Sequence, residues 1–498
     1  MDNLLRAFTL VAQPEVLLTI LASSVFGMVV GCIPGLTATM ATALLVPFAM
    51  FLDPVSAIAS IVSATAMAIF AGDIPGTLLR LPGTPASAAY TEQSYRLAMS
   101  GRAGEVLGLN LVFSALGGIL GTVVLVSSAP LLADYALSLS SFEFLWLSLL
   151  GLSCAVFVVG ENIPKGLAAL VFGLLLGTVG RDYTSGFPRF SFDDPELLDG
   201  IPFVAALIGF FALPEMLRTM LATDATDVKP VVQAGRIFEG MGRAIIHWRR
   251  NFFRSGLIGT AVGALPGGGA DTAAWTAYAV SRRLSKDPKA WDRDGVEGIV
   301  DSTSANNASL SGAWIPALVF AIPGDTITAI AIGVLYLKNI TPGPSIFLEN
   351  AHVLYAVFIT FFIANLLMIP LGWLAIRSAI PILRLPRKLL MAPLLLFACL
   401  GSYATDNSLF GVGTMLVCGL VGYWMEENGY PVGPAVLGLV MGRLVEEHLM
   451  TSLIKVQGDL TRFFERPVAT VFAVVTILVW IWPVIRWLQT RMRRKENI

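Results

Sequence analysis

The chain has 498 residues, with 33 Lys and Arg against 34 Asp and Glu, so that 13% of its side chains are charged while 55% are hydrophobic. A soluble domain carries about 25% charged residues, and a mean hydropathy of +0.74 leaves too few charges to cover a water-facing surface of this size. Disulfide-rich scaffolds, disordered regulators and nucleic-acid binders are excluded, the last because the net charge is −1 without a clustered basic excess. The expected fold is an all-α polytopic membrane protein.

Apolar runs suited to a hydrocarbon core, which takes roughly 20 helical residues, lie near 15–33, 54–72, 106–132, 140–160, 163–180, 200–220, 253–265, 310–337, 351–376, 390–425 and 467–488. They predict about 10–12 transmembrane helices. The first run follows Arg6 and contains Ala22, Ser23 and Ser24, the features of a signal peptide, but its apolar pattern continues into Gly31-Cys32-Ile33-Pro34-Gly35. We therefore read it as an uncleaved first helix. Cys32, Cys154, Cys399 and Cys418 lie apart within apolar runs and suit neither a disulfide nor a metal site. Glu161 and Lys165, at i and i+4, suggest an interfacial ion pair.

Orientation follows the Lys and Arg beside the spans. Arg218, Lys229, Arg236, Arg243, Arg249, Arg250 and Arg254 face three acids, Asp224, Asp227 and Glu239, in one connection, which places it on the cytoplasmic side. Arg377, Arg384, Arg387 and Lys388, and the tail with Arg491, Arg493, Arg494 and Lys495, agree with this. The acidic connection 181–200 suits the outer face. His247, His352 and His448 are too scattered for a metal site, and no GxxxxGK[ST] loop occurs, so an ion gradient is the expected energy source.

The chain also resembles itself. Gly27, Gly31, Pro34 and Gly35 recur as Gly259, Gly263, Pro266 and Gly267, an offset of 232. Ile74, Pro75, Pro82, Gly83, Ser87 and Ala88 recur as Ile315, Pro316, Pro323, Gly324, Thr328 and Ala329, an offset of 241, the difference falling in a polar insertion between Ser281 and Asp301. We therefore divide the chain into a first half (1–217), a basic connection (218–254), a second half (255–466) and a last helix with a basic tail (467–498). Each Pro-Gly pair should break a helix. The freed backbone groups cost several kcal/mol each in hydrocarbon unless satisfied, and broken helices in matching places of two halves point to a transport site near the midplane. Packing kinks are the alternative.

Polar residues gather beside the breaks. Thr37, Thr39 and Thr42 follow the first pair, and Gly268, Gly269, Asp271, Thr272 and Thr276 follow its counterpart. Asp73, Thr77, Thr84 and Ser87 surround the second, with Asp325, Thr326 and Thr328 opposite. Half-helix N-termini and hydroxyls suit a carboxylate, and carbonyl ends and acids suit a sodium ion or a proton. Candidate substrate residues are thus Pro34, Gly35, Thr37, Pro82, Gly83, Thr84, Pro266, Gly267, Gly268, Pro323 and Gly324, with Asn306 and Asn307 from the richest neutral polar cluster. Burying an acid at the bilayer centre costs about 2.5–3.5 kcal/mol, so Asp73, Asp271 and Asp325 are candidates for ion coupling, with helix capping the alternative for Asp73 and Asp325. Arg80, opposite Ala321 in the repeat, either meets an anionic substrate or snorkels outward.

Gly31-Cys32-Ile33-Pro34-Gly35, the run Leu81-Pro82-Gly83-Thr84-Pro85-Ala86-Ser87-Ala88, Ala264-Leu265-Pro266-Gly267-Gly268-Gly269, Asn306-Asn307-Ala308 and Ala321-Ile322-Pro323-Gly324-Asp325 together resemble the large membrane subunit of the tripartite tricarboxylate transporters, the TctA type. The likeness extends to Tyr430-Pro431 and Glu465-Arg466-Pro467. It implies a multi-pass carrier of the bacterial inner membrane, not an enzyme, that imports di- or tricarboxylates with sodium or protons and without a cofactor. It further implies two partners, a small membrane subunit of about four helices and a periplasmic substrate-binding protein. Rival readings are a stand-alone ion-coupled exchanger and an intramembrane aspartyl protease built on Asp73 and Asp325.

Overall fold

The computed structural model describes residues 2–159, 162–182, 184–221, 237–285, 295–383 and 387–496. Helices dominate them; the one strand pair among the described residues joins Gly180–Arg181 to Pro188–Arg189. In hydrocarbon a helix satisfies its own backbone polar groups, which an open strand cannot do. Among the described residues six helices are long and apolar enough to cross a membrane: Pro14–Cys32, Pro54–Leu79, Ala88–Ala136, Phe203–Leu221, Ala351–Ala379 and Leu409–Glu427. Six shorter apolar helices accompany them: Ala38–Phe51, Ser141–Phe157, Ile163–Gly177, Thr326–Leu337, Leu390–Thr405 and Pro467–Ile481. The protein is an all-α polytopic membrane protein.

Several of the short helices originate at Pro-Gly. Pro14–Cys32 ends at an extended Ile33, Gly35 turns with φ +93°, and Thr37 restarts the chain by accepting the Met40 N–H at 3.2 Å, which caps Ala38–Phe51. At 1.5 Å per residue this 14-residue helix spans about 21 Å, less than the roughly 30 Å of a hydrocarbon core. Ala38–Phe51 is missing from the expected runs, because Pro34-Gly35 reads as the end of a span whereas the threonine cap begins another. Likewise the run 310–337 is two helices, Val296–Phe320 and Thr326–Leu337, divided at Pro323-Gly324. The run 390–425 is divided at Asn407, where φ is 51°. Val432–Val456 was not expected at all, since Arg443, Glu446 and Glu447 dilute its apolar character. Pro75 does not break its helix, for it lies in the first turn of Asp73–Leu79, where its missing N–H is not needed.

Helices pack closely where glycines permit it. A Cβ at Gly27 would fall 2.0 Å from the Ala64 carbonyl oxygen and one at Gly31 2.5 Å from that of Ala68, so Pro14–Cys32 lies directly on Pro54–Ala71. Arg249–Gly263 meets Val296–Phe320 in the same manner, with Gly259 2.4 Å from the Ala305 oxygen and Gly263 2.2 Å from that of Ser309. Both are small-residue contacts that bring backbones together in a membrane. The helix ends agree too: Arg80 (φ 59°) and Ala321 (φ 56°) are left-handed caps, and Leu81 and Ile322 donate to the carbonyls of Pro75 and Pro316 at 3.4 and 3.2 Å.

Val296–Phe320 is the central helix, buried from Gly298 to Val319 and packed against Ala103–Ala136, Arg249–Gly263 and Gly269–Leu284. Phe203–Leu221 pairs with Leu409–Glu427, and Ile163–Gly177 with Val432–Val456. Outside the spans, Arg189 grips Glu446 through two bonds of 2.7 and 2.9 Å and lies 3.3 Å from Asp182. Bonds from the Ser185 hydroxyl and amide, with Arg189 beside them, hold the Asp182 carboxyl well below the usual carboxylate range. Lys165 donates to the Asn428 carbonyl at 2.6 Å and covers the Tyr430 ring; its expected partner Glu161 lies outside the described residues, as do Asp224, Asp227, Lys229, Arg236, Arg384 and part of the insertion after Ser281.

Candidate functional site

The helix breaks meet around a cavity of about 220 Å³, smaller than the roughly 300–1,000 Å³ that drug-sized ligands occupy. Four chain segments form most of its wall: Thr37-Ala38-Thr39, Thr84-Pro85-Ala86, Gly269-Ala270-Asp271 and Asp325-Thr326-Ile327. The first and third are separated by 232 positions and the second and fourth by 241, the offsets read from the Pro-Gly motifs. Each stands at or just before the N-terminus of a helix, namely Ala38–Phe51, Ala88–Leu97, Gly269–Leu284 and Thr326–Leu337.

Local chemistry places these ends. Asp325 and Thr328 form a capping box, with the Thr328 N–H donating to Asp325 Oδ1 at 2.8 Å and the Asp325 N–H to Thr328 Oγ1 at 2.9 Å. Thr84 and Ser87 exchange the same pair of bonds, each 3.1 Å. The hydroxyls of Thr39 and Thr326 lie 3.2 Å apart and join Ala38–Phe51 to Thr326–Leu337 at the cavity. The Trp275 indole donates to the Pro85 carbonyl at 3.3 Å. The four N-termini each carry a partial positive charge of about +0.5, and some of their N–H groups are taken by caps, as at Met40 and Thr328.

Against them stand four acids, Glu215, Asp271, Asp325 and Glu426, with no Lys or Arg among the described residues of the wall. Asp325 is 8% exposed, whereas Asp271 opens to solvent. Arg218 holds the Glu215 and Glu426 carboxylates from outside at 3.3 and 3.0 Å, and Glu427 at 3.4 Å. The acids are distributed unevenly: Asp271 stands where Thr39 stands in the first half, and Asp325 where Thr84 stands. The matched positions therefore differ in charge, while Glu215 adds a carboxylate beside the Gly35 turn, where a Cβ would lie 3.6 Å from its Oε1.

Of the expected site residues, Thr37, Thr84, Asn306, Asp271 and Asp325 line the cavity. Gly35 (φ 93°) and Gly267 (φ 79°) form the turns that feed it, and the Gly267 N–H donates to the Gly324 carbonyl at 2.8 Å. Gly83 donates to the Gly72 carbonyl at 3.1 Å and leaves no room for a Cβ there. Pro34, Pro82, Pro266, Gly268 and Pro323 belong to the same breaks but are not in the wall. Asn307 turns away, its amide 3.5 Å from Met368 Sδ. Arg80 is outside the cavity wall: as a left-handed helix cap its side chain is exposed and pairs with Glu92 at 2.8 Å. Asp73 is buried behind the wall, and it is not a cap, since its carboxylate makes no bond to its own helix. Phe211, Glu215 and Glu426 were not anticipated; an acid directly after Pro214 in an otherwise apolar run is the signal that marks Glu215.

The fold and cavity define a polytopic membrane protein with broken helices around a polar chamber, the architecture of a carrier. The chain belongs to the tripartite tricarboxylate transporter TctA family, whose sequence model matches residues 17–437. It is similar to an uncharacterised 52.8 kDa protein of the TAR-I ttuC′ 3′ region of Agrobacterium vitis, 30% identical over 477 residues, 94% of this chain and 93% of that protein. An uncharacterised protein of the TAR-II ttuC′ 3′ region of Agrobacterium vitis is 33% identical over 231 residues, 46% of this chain and 96% of that protein. No solved structure matches.

Proposed function

We propose that this chain is the large permease subunit of a secondary transporter that carries di- or tricarboxylates through the bacterial inner membrane, driven by sodium ions or protons. It works with a small membrane subunit and a periplasmic binding protein that delivers the substrate. The observation that carries this reading is the meeting of four helix N-termini, at two matched pairs of positions, around one small polar cavity. N–H groups and dipoles there suit an anion, and the threonine hydroxyls add neutral donors.

The two halves are an internal repeat in this reading, supported by the paired left-handed caps and by the paired glycine contacts. Thr37, Thr39 and Thr84 with their backbone amides hold substrate carboxylate, and Asp271 and Asp325 hold the coupling cation. Without that cation the four wall carboxylates would repel the substrate.

The test is uptake of labelled citrate and succinate by membrane vesicles containing all three components, with and without a sodium gradient. Thr37→Val and Thr84→Val are expected to raise the substrate concentration for half-maximal uptake, and Asp271→Asn to weaken its dependence on the cation. Unchanged uptake with a bulky residue at Gly35, Gly83, Gly267 and Gly324 in turn would sink the proposal.

A further inference from the structure

We propose that Asp73 is a separate proton-binding site, joined to the cavity through Tyr90 and Asn306, and that its protonation decides which end of the Asn306 amide faces the substrate. The inference rests on the carboxylate reading above and adds a cation site that the cavity itself does not contain.

Asp73 is 2% exposed. Its Oδ1 accepts the Tyr90 O–H at 2.5 Å, and its Oδ2 has no partner. Tyr90 is 1% exposed and accepts from Asn306 Nδ2 at 3.5 Å, the outer limit of a hydrogen bond. Asn306 belongs to the cavity wall, and its Oδ1 is buried without a partner. A three-residue chain therefore runs from the cavity to Asp73, with an unsatisfied oxygen at each end.

Tyr90 is the titratable group facing Asp73. The charged and histidine groups on the helices packed against Asp73–Leu79, namely Glu15, Glu92, Arg96, Glu105, Asp134, His352 and Arg377, are partly or fully exposed, and none pairs with it among the described residues. A buried carboxylate without a counter-charge is costly, so it takes a proton or a cation. Hard metal cations gather about six or more oxygen ligands, whereas a proton needs a single acceptor, and this chain offers two free oxygens.

With Asp73 ionised, donation runs from Asn306 to Tyr90 to Asp73, which leaves the amide oxygen of Asn306 without a donor at the wall. A proton arriving from cavity water on Asp73 reverses the chain: Asp73 donates to Tyr90, Tyr90 turns its O–H to the Asn306 oxygen, and the rotated amide presents N–H to the cavity. One proton enters and no other bond changes. The N–H end suits a carboxylate and the oxygen end a cation, so substrate and proton favour the same state.

Vesicles with the complete transporter and no sodium, given a pH gradient and labelled citrate or succinate, test this. Wild type is expected to accumulate substrate with proton entry, while Asp73→Asn, a mimic of the protonated acid, loses accumulation and proton entry but retains substrate exchange at equal concentrations. Should Asp73→Asn lose exchange as well, Tyr90→Phe decides: removing the relay hydroxyl cuts Asn306 off from Asp73, so proton-driven accumulation is lost while exchange remains, and accumulation with proton entry as in wild type overturns the proposal. Accumulation with proton entry in Asp73→Asn, or wild-type uptake without proton entry, also overturns it and leaves carboxylate transport standing. Wild-type transport that appears only when sodium is supplied overturns it too, whereas absence of any wild-type transport of either probe both with and without sodium would instead count against the carboxylate reading.

Discussion

At the scale of single residues, Asp325 serves two ends, and the two separate by substitution. Its carboxylate caps Thr326–Leu337 and also faces the cavity. Asp325→Ala loses the cap and is expected to destabilise the protein by about 0.5–2 kcal/mol, read as a lower thermal midpoint in detergent. Asp325→Asn retains a good cap and should leave that midpoint nearly unchanged, while the dependence of uptake on the coupling ion weakens. Equal stability loss in both variants would show that the charge is structural. Residue identity made Asp325, Asp271, Thr84 and Asn306 legible in the sequence, because polar groups beside Pro-Gly stand out in an apolar chain. Of the two readings of Arg80, the outward one fits its place. Nothing in its neighbours tells that a left-handed cap turns it outward to Glu92, and Glu215 and Glu426 reach the cavity only through tertiary packing from distant helices.

Among the elements, the glycine contacts carry the heaviest steric demand. Gly27→Leu and Gly259→Leu each drive a side chain into a facing carbonyl, and overpacking of this kind costs about 1–3 kcal/mol or more. Both should reduce the yield of folded protein in size-exclusion chromatography. Gly413→Ala, with nothing within 4 Å of its Cβ, is the control expected to match wild type. The short strand pair gives a second prediction. Because the Asp182 carboxyl is held low, its contribution is complete above its unfolded value of about 3.9 and is lost as the pH falls through the lower folded one. Amide exchange at 184–189 should therefore be insensitive to pH-dependent loosening near neutrality and rise in strong acid. Elements with long uniform apolar runs were legible; Ala38–Phe51 and Val432–Val456 were not, since one begins at a threonine cap within a span-like run and the other carries charges that depress its hydropathy.

On the scale of the whole molecule, the Thr39–Thr326 contact joins Ala38–Phe51 to Thr326–Leu337 at the cavity. In a variant lacking Cys32, Cys154, Cys399 and Cys418, Thr39→Cys with Thr326→Cys should form a disulfide on oxidation and stop uptake, and reduction should restore it. Uptake that continues with the bond formed would mean that these helix ends do not separate during transport. The matched motifs suggested two halves, but how the helix breaks meet depends on close backbone approach, which letter patterns do not encode. The uneven placement of acids carries a consequence for timing. If Asp271 and Asp325 hold the coupling cation as proposed, a chamber whose two remaining acids are already paired by Arg218 favours loading in one order, positive charge first and substrate second. A carrier that admits its passenger only behind its fuel does not run down the gradient on empty journeys, and the apparent affinity for substrate becomes a gauge of how much of that fuel the cell has stored outside.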